Sequence, residues 1–171
     1  SKRTLVIAPG TKQPIKDWGQ DRWAHLIGLV AKILPDWSLV LIGSEDEKER
    51  CEELRRFWNG DSLNLCGITS PRLSGAVLSL SSLFVGVDSG PMHLASASGT
   101  KVIGIFSGNN PEGQWSPGSA EWDKVICLHP TNRGPWKERY RISPPQSLLP
   151  VSVDAVIMAI RHFFPYLIEE E

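Results

Sequence analysis

At 171 residues and 18.9 kDa the chain is the size of one domain, or of one lobe of something larger. Its 41% hydrophobic and 22% charged residues exclude a disordered chain, and 18 basic against 19 acidic residues, a net charge of −1, exclude a field that would draw nucleic acid or an anionic membrane. Three scattered cysteines (Cys51, Cys66, Cys127) exclude a disulfide framework and a closed zinc site, which leaves reduced structural thiols. No apolar run approaches the ~20 residues of a membrane span. Ser1-Lys2-Arg3 leads straight into strand-like residues, as in an excised piece rather than a signal peptide. The seven tryptophans are expected mostly in or beside loops.

Leu5-Val6-Ile7-Ala8 is the first strand, ended by Pro9-Gly10. After a polar loop, a helix is expected over 21–33 with Trp23, Leu26, Ile27, Val30 and Ile33 inward, stopped by Leu34-Pro35-Asp36. Leu39 to Ile42 is the second strand, followed by a charged helix over 45–58. Asn64-Leu65-Cys66 is a weak third strand. Ser70-Pro71 then reads as an N-cap with proline at the first helical position, opening a helix to about residue 81. Strands at 83–87 and 102–106 flank a short helix over 91–98, and a sixth strand is expected over 124–128. Residues 129–150 read as loop. A final helix over 152–164 turns Val153, Val156, Ile157 and Ile160 inward.

Strands that are apolar throughout belong to a parallel sheet covered on both faces. The alternation therefore predicts an α/β, Rossmann-like, doubly wound domain with a mainly parallel sheet of about six strands. Ligands of such sheets bind at the carboxyl ends of the strands.

No G-x-G-x-x-G follows the first strand and no P-loop occurs, which argues against a dehydrogenase or a P-loop NTPase. The most informative segment is Asp88-Ser89-Gly90-Pro91-Met92-His93, where an acid ends a buried strand and a Ser-Gly turn opens a helix. Free N–H groups of Ser89, Gly90 and Met92 at that helix end would suit phosphate oxygens, with His93 close by. The same residues also read as a plain helix cap with a buried histidine. Thr11 and Lys16, after the first strand, suit a diphosphate, or Lys16 is an ordinary solvated lysine. Glu47, after the second strand, could accept a ribose, or simply complement the dipole of its helix. The loop at 107–112 with Trp115-Ser116-Pro117 could border a ligand. Trp136 to Arg141 reads as solvated loop rather than a nucleic-acid patch. No His/Cys group has metal spacing and no G-x-S-x-G elbow occurs.

Ala8-Pro9-Gly10-Thr11, Lys16-Asp17-Trp18, Arg22 to Leu26 and Ile42-Gly43-Ser44 with Glu47 together resemble the family 9 glycosyltransferases, the lipopolysaccharide heptosyltransferases and their relatives. Asp88 to Ala97, Val102 to Phe106, Asn110-Pro111 and Trp115-Ser116-Pro117 resemble that family's signature block, in its order and spacing.

The resemblance implies one lobe of a GT-B fold, with residues 1–171 a single C-terminal domain that binds the nucleotide-sugar donor. It implies that Thr11 and Lys16 contact donor phosphates, Glu47 the ribose, and Gly67, Ile68 and Thr69 the base. Ser89 and Gly90 would offer N–H groups to the diphosphate, Asp88 would approach the sugar, and His93 the phosphate–sugar region. An ADP-sugar is the favoured donor, although Thr69 is shorter than the side chain often found there, and Lys12 and Pro14 are unusual in the first loop. No catalytic residue is expected in this chain, because the family's general base and acceptor site belong to the N-terminal lobe. The expected partners are that lobe and a glycan or glycolipid acceptor, with no nucleic acid. No cofactor or metal is required. The expected location is cytoplasmic, with a peripheral place at the inner membrane face open to the full enzyme. Two other readings remain: a GT-B-type nucleotide-sugar epimerase lobe, or a non-catalytic nucleotide-binding module. The segment from Trp115 to Trp136 has no role assigned by the resemblance.

Overall fold

A computed structural model describes residues 2–108, 114–117, 122–130 and 151–168. Six strands form one sheet, β1 (Thr4–Ala8), β2 (Ser38–Leu41), β3 (Ser62–Asn64), β4 (Leu83–Val87), β5 (Lys101–Ile105) and β6 (Val125–Leu128). They lie in the order β3-β2-β1-β4-β5-β6, and every neighbouring pair is parallel. This is the doubly wound order in which the chain reverses direction between β1 and β4, leaving a crevice at their carboxyl ends.

Alternate residues of β1, β2, β4, β5 and β6 feed two cores. Leu5, Ile7, Leu39, Leu41, Val85 and Ile103 meet α1 (Gln20–Ile33), α2 (Lys48–Arg55) and α5 (Val153–Phe163) on one face. Val6, Ala8, Val40, Phe84 and Val102 meet α3 (Pro71–Ser79) and α4 (Gly90–Ala97) on the other. Burial on both faces is why the strand sequences lack polar alternation. On α1 the inward stripe of Trp23, Leu26, Ile27 and Val30 is fully buried, while Ile33 is only half-buried. Val153, Val156, Ile157 and Ile160 face inward on α5. Trp18, Trp37 and Trp58 lie outside helices and strands, as expected, yet together with Trp23 they are all buried, so these loop tryptophans are part of the core. Trp18 packs edge-on against Trp23, and its Nε1–H donates to the Val151 carbonyl at 2.7 Å.

Several boundaries differ from the sequence reading. The helix expected over 45–58 is a 3₁₀ turn, Glu45–Glu47, followed by the shorter α2. The third strand begins and ends two residues earlier than expected, because Leu65 and Cys66 belong to its exit and not to its ladder. Lys124 lies in a 3₁₀ turn ahead of β6. Gly90, not Pro91, is the first residue of α4. As expected, Pro71 opens α3, whose cap Ser70 accepts the Leu73 N–H through its hydroxyl. The loop expected over 129–150 falls almost wholly outside the described residues, as do Asn110-Pro111 and Trp136 to Arg141.

Candidate functional site

A cleft of about 1040 Å³ opens across the carboxyl ends of β1, β2 and β4. That volume is at the upper end of what small-molecule sites use. Of the residues singled out in the sequence, Thr11, Lys16, Glu47, Thr69, Asp88, Ser89, Gly90 and His93 line it together. Gly67 and Ile68 do not. The Gly67 N–H instead holds the β3 exit onto the Gly43 carbonyl at 3.0 Å, its φ of 72° is one that favours glycine, and Ile68 points into solvent.

The centre of the cleft is an ion pair that joins residues 72 positions apart. Lys16 Nζ donates to Asp88 Oδ2 at 2.6 Å, and the two side chains are only 15% and 5% exposed. Lys16 is therefore not a solvated loop lysine. It is brought there by a 3₁₀ turn, Pro14–Lys16, which Asp17 fastens to α2. Arg50 donates from both terminal nitrogens to the two Asp17 carboxylate oxygens at 2.9 Å, and its Nε donates to Gln20 at 2.8 Å. Partial burial pushes the Asp17 carboxyl up, but the Arg50 hydrogen bonds, the Gly19 N–H and the Arg50 charge outweigh it, so the group sits below its ordinary range.

Asp88 ends β4 and is held there by its own N–H, which donates to the Ile105 carbonyl at 3.1 Å. His93 Nε2 lies 3.9 Å from its second oxygen. His93 is exposed on the first turn of α4, contrary to the reading of a buried core histidine.

Ser89 occupies the N-cap position of α4, but its hydroxyl makes no capping bond. That Oγ is shut off from solvent and has no hydrogen-bond partner. The plain-cap reading therefore fails at its main residue. An orphaned, desolvated hydroxyl costs about 1–3 kcal/mol. Of the three N–H groups expected to face the cleft, Met92 is lost, because it donates to the Ser89 carbonyl at 3.1 Å. Those of Ser89 and Gly90 remain at the positive end of the helix dipole.

Glu47 sits between two glycines. A Cβ at either Gly10 or Gly43 would overlap its carboxylate, so both positions must lack a side chain for Glu47 to reach the cleft. Oε2 accepts the Ser44 N–H at 2.7 Å, one arm of a capping box. Oε1 lies over Gly10, so one carboxylate both caps the turn and lines the cleft. Behind it are the fully buried Cys51 and Cys66. The hydrogen bond to Cys66, burial and the Glu47 charge all push the Cys51 thiol up, which keeps it protonated and inert.

The cleft wall also includes residues that the sequence reading gave no role. Ser74 meets the Thr69 hydroxyl at 2.8 Å, and Gln13 and Leu94 line the same cleft. Periodicity could have found Ser74, one turn into a helix whose cap was already visible. Trp115, which the sequence suggested only as a border, stands at the rim. Among the described residues no group of three or more His, Cys, Asp or Glu is placed to hold a metal, and no helix is long and apolar enough to cross a membrane.

The sequence model of glycosyltransferase family 9 (heptosyltransferase) matches residues 1–143. The lipopolysaccharide core heptosyltransferase OpsX of Haemophilus influenzae is 27% identical over 111 residues, which are 65% of this chain and 32% of OpsX. The structure of E. coli ADP-heptose LPS heptosyltransferase II superposes with a TM-score of 0.73 at 22% identity, covering 96% of this chain and 47% of that one. E. coli heptosyltransferase WaaC, solved with ADP, gives 0.71 at 21%, covering 95% and 44%. The chain thus spans about a third of this curated relative and about half of the solved structures.

Proposed function

The chain belongs to glycosyltransferase family 9, and from that premise we propose that it is the C-terminal, donor-binding lobe of an inverting glycosyltransferase. Its donor is a nucleotide sugar, with an ADP-heptose favoured, and the acceptor is a lipopolysaccharide-type glycan presented by the other lobe in the cytoplasm. The observation that carries this reading is the uncapped N-terminus of α4, where an orphaned Ser89 hydroxyl, Asp88 and His93 line one cleft with Lys16, which reaches in from the loop after β1. The WaaC structure with ADP supports an adenine nucleotide.

In this reading an acceptor oxygen attacks the sugar C1, and the bond from C1 to the phosphate oxygen breaks with its electron pair left on the diphosphate. The acceptor proton goes to a base on the other lobe. The residues of this chain act on the leaving group: Lys16, His93 and the N–H groups of Ser89 and Gly90 meet the negative charge as it grows. Asp88 holds Lys16 in place and faces the sugar end, while Glu47 accepts ribose hydroxyls.

The test is to titrate ADP, UDP and GDP into the 171-residue chain and to assay sugar transfer beside a two-lobe family enzyme. One nucleotide should be preferred, with Kd near ~1 mM. Turnover should be undetectable, because base assistance alone is worth ~10²–10⁴-fold and acceptor positioning more. Acceptor-dependent turnover by the chain alone would overturn the assignment.

A further inference from the structure

The strand order imposes a linear order on the cleft. Thr69 comes from the β3 exit, Glu47 from β2, Lys16 from β1, Ser89 from β4 and Trp115 from beyond β5. Neighbouring strands lie about 4.8 Å apart, so β3 to β5 spans about 19 Å, the scale of an extended nucleoside diphosphate sugar. Such a ligand is itself linear: base, ribose, diphosphate, sugar. With ribose at Glu47 and diphosphate between Lys16 and Ser89, the sugar end is directed past β4, and Trp115, ten residues beyond β5, lines the same cleft.

Trp115 has two properties that packing does not explain. Its indole is 60% exposed although Pro117, two residues on, is buried and pins the segment. Its backbone is left-handed, φ 64°, and it is the one non-glycine residue with positive φ among the described residues. A bulky side chain rarely holds that conformation, and such outliers gather at ligand sites. Solvating a large apolar face while straining its backbone favours no fold, but it does present that face to the cleft.

We propose that Trp115 stacks on the donor's sugar ring and sets preference for the sugar part of the ligand. A flat indole matches the C–H face of a pyranose and leaves the ring hydroxyls free for polar groups such as Asp88. This rests on the donor-binding reading above.

The experiment compares ADP with ADP-heptose by NMR titration of the chain and of two variants, Trp115→Gly and Trp115→Phe. Glycine suits the left-handed backbone, so Trp115→Gly should melt no lower than the parent chain. The parent should bind ADP-heptose several-fold more tightly than ADP. Trp115→Gly should weaken ADP-heptose about fivefold and leave ADP within twofold, and Trp115→Phe should keep most of the difference. An unchanged ratio in Trp115→Gly would overturn the proposal, as would equal weakening of both ligands, which would place the indole on the nucleotide. No ADP binding by the parent chain would instead overturn the donor-binding reading itself.

Discussion

Replacing Lys16 by methionine keeps its stem and removes only the charge, so it isolates the central ion pair. The pair is short, 2.6 Å, and mostly buried, with Asp88 5% exposed. Removing one partner of a fully buried pair costs about 3–5 kcal/mol, because the other charge is stranded. Here the cleft is open on one side and His93 stands 3.9 Å from Asp88, so about 2 kcal/mol is expected. For a chain of this size that lowers Tm by about 4–8 °C. Asp88→Asn should cost a similar amount by stranding Lys16. The double variant should then lose less than the sum, with a coupling of about 1 kcal/mol or more. Urea unfolding of the four proteins measures this directly. Lys16→Met should also weaken ADP by about 1–3 kcal/mol, the loss of one charged hydrogen bond. Strictly additive stabilities would refute the ion pair, and unchanged ADP affinity at low salt would refute the phosphate role.

Gly10→Ala should displace the Glu47 carboxylate, since the new Cβ overlaps it; ADP affinity by NMR titration is expected to fall about tenfold, or 1.4 kcal/mol, with the fold retained by circular dichroism. Arg50→Ala removes the fork on Asp17 that fastens the turn carrying Lys16. Because both groups are partly exposed, about 1 kcal/mol of stability should be lost, together with a few-fold of ADP affinity. The Asp17 carboxyl is lowered in the folded chain, so its stabilisation is present above the unfolded value of about 4 and disappears as the pH falls through the folded value. Unfolding curves of the parent and Asp17→Asn should therefore differ at pH 7 and converge as the pH falls below the folded value.

β1, β2, β4, β5 and β6 are legible because their apolar residues face both sides of the sheet, and α1 and α5 because their inward residues recur at helical spacing. The third strand was misplaced because its polar residues, Ser62 and Asn64, sit in the ladder at a sheet edge, while the apolar Leu65 and Cys66 lie just beyond it. The helix after β2 is shorter than its charged sequence implies, because charge alone does not distinguish a 3₁₀ turn from an α-helical one. At the site, residue types were readable and pairings were not. Lys16 and Asp88 meet only through the β1–β4 neighbourhood, which the topology creates. Whether Ser89 caps its helix depends on a rotamer, and the loss of the Met92 N–H on a single turn bond. The exposure and backbone of Trp115 carry no local signature either.

The central claim, that a nucleotide sugar binds across the carboxyl ends of β1, β2 and β4, is tested most directly by residue-resolved amide shifts during titration of ADP-heptose into the chain. The account predicts saturable shifts gathered at Thr11, Lys16, Glu47, Ser89 and Gly90, with UDP- and GDP-sugars weaker at the same positions. Saturating ADP-heptose that leaves those amides unmoved, or shifts centred on another face of the sheet, would contradict it.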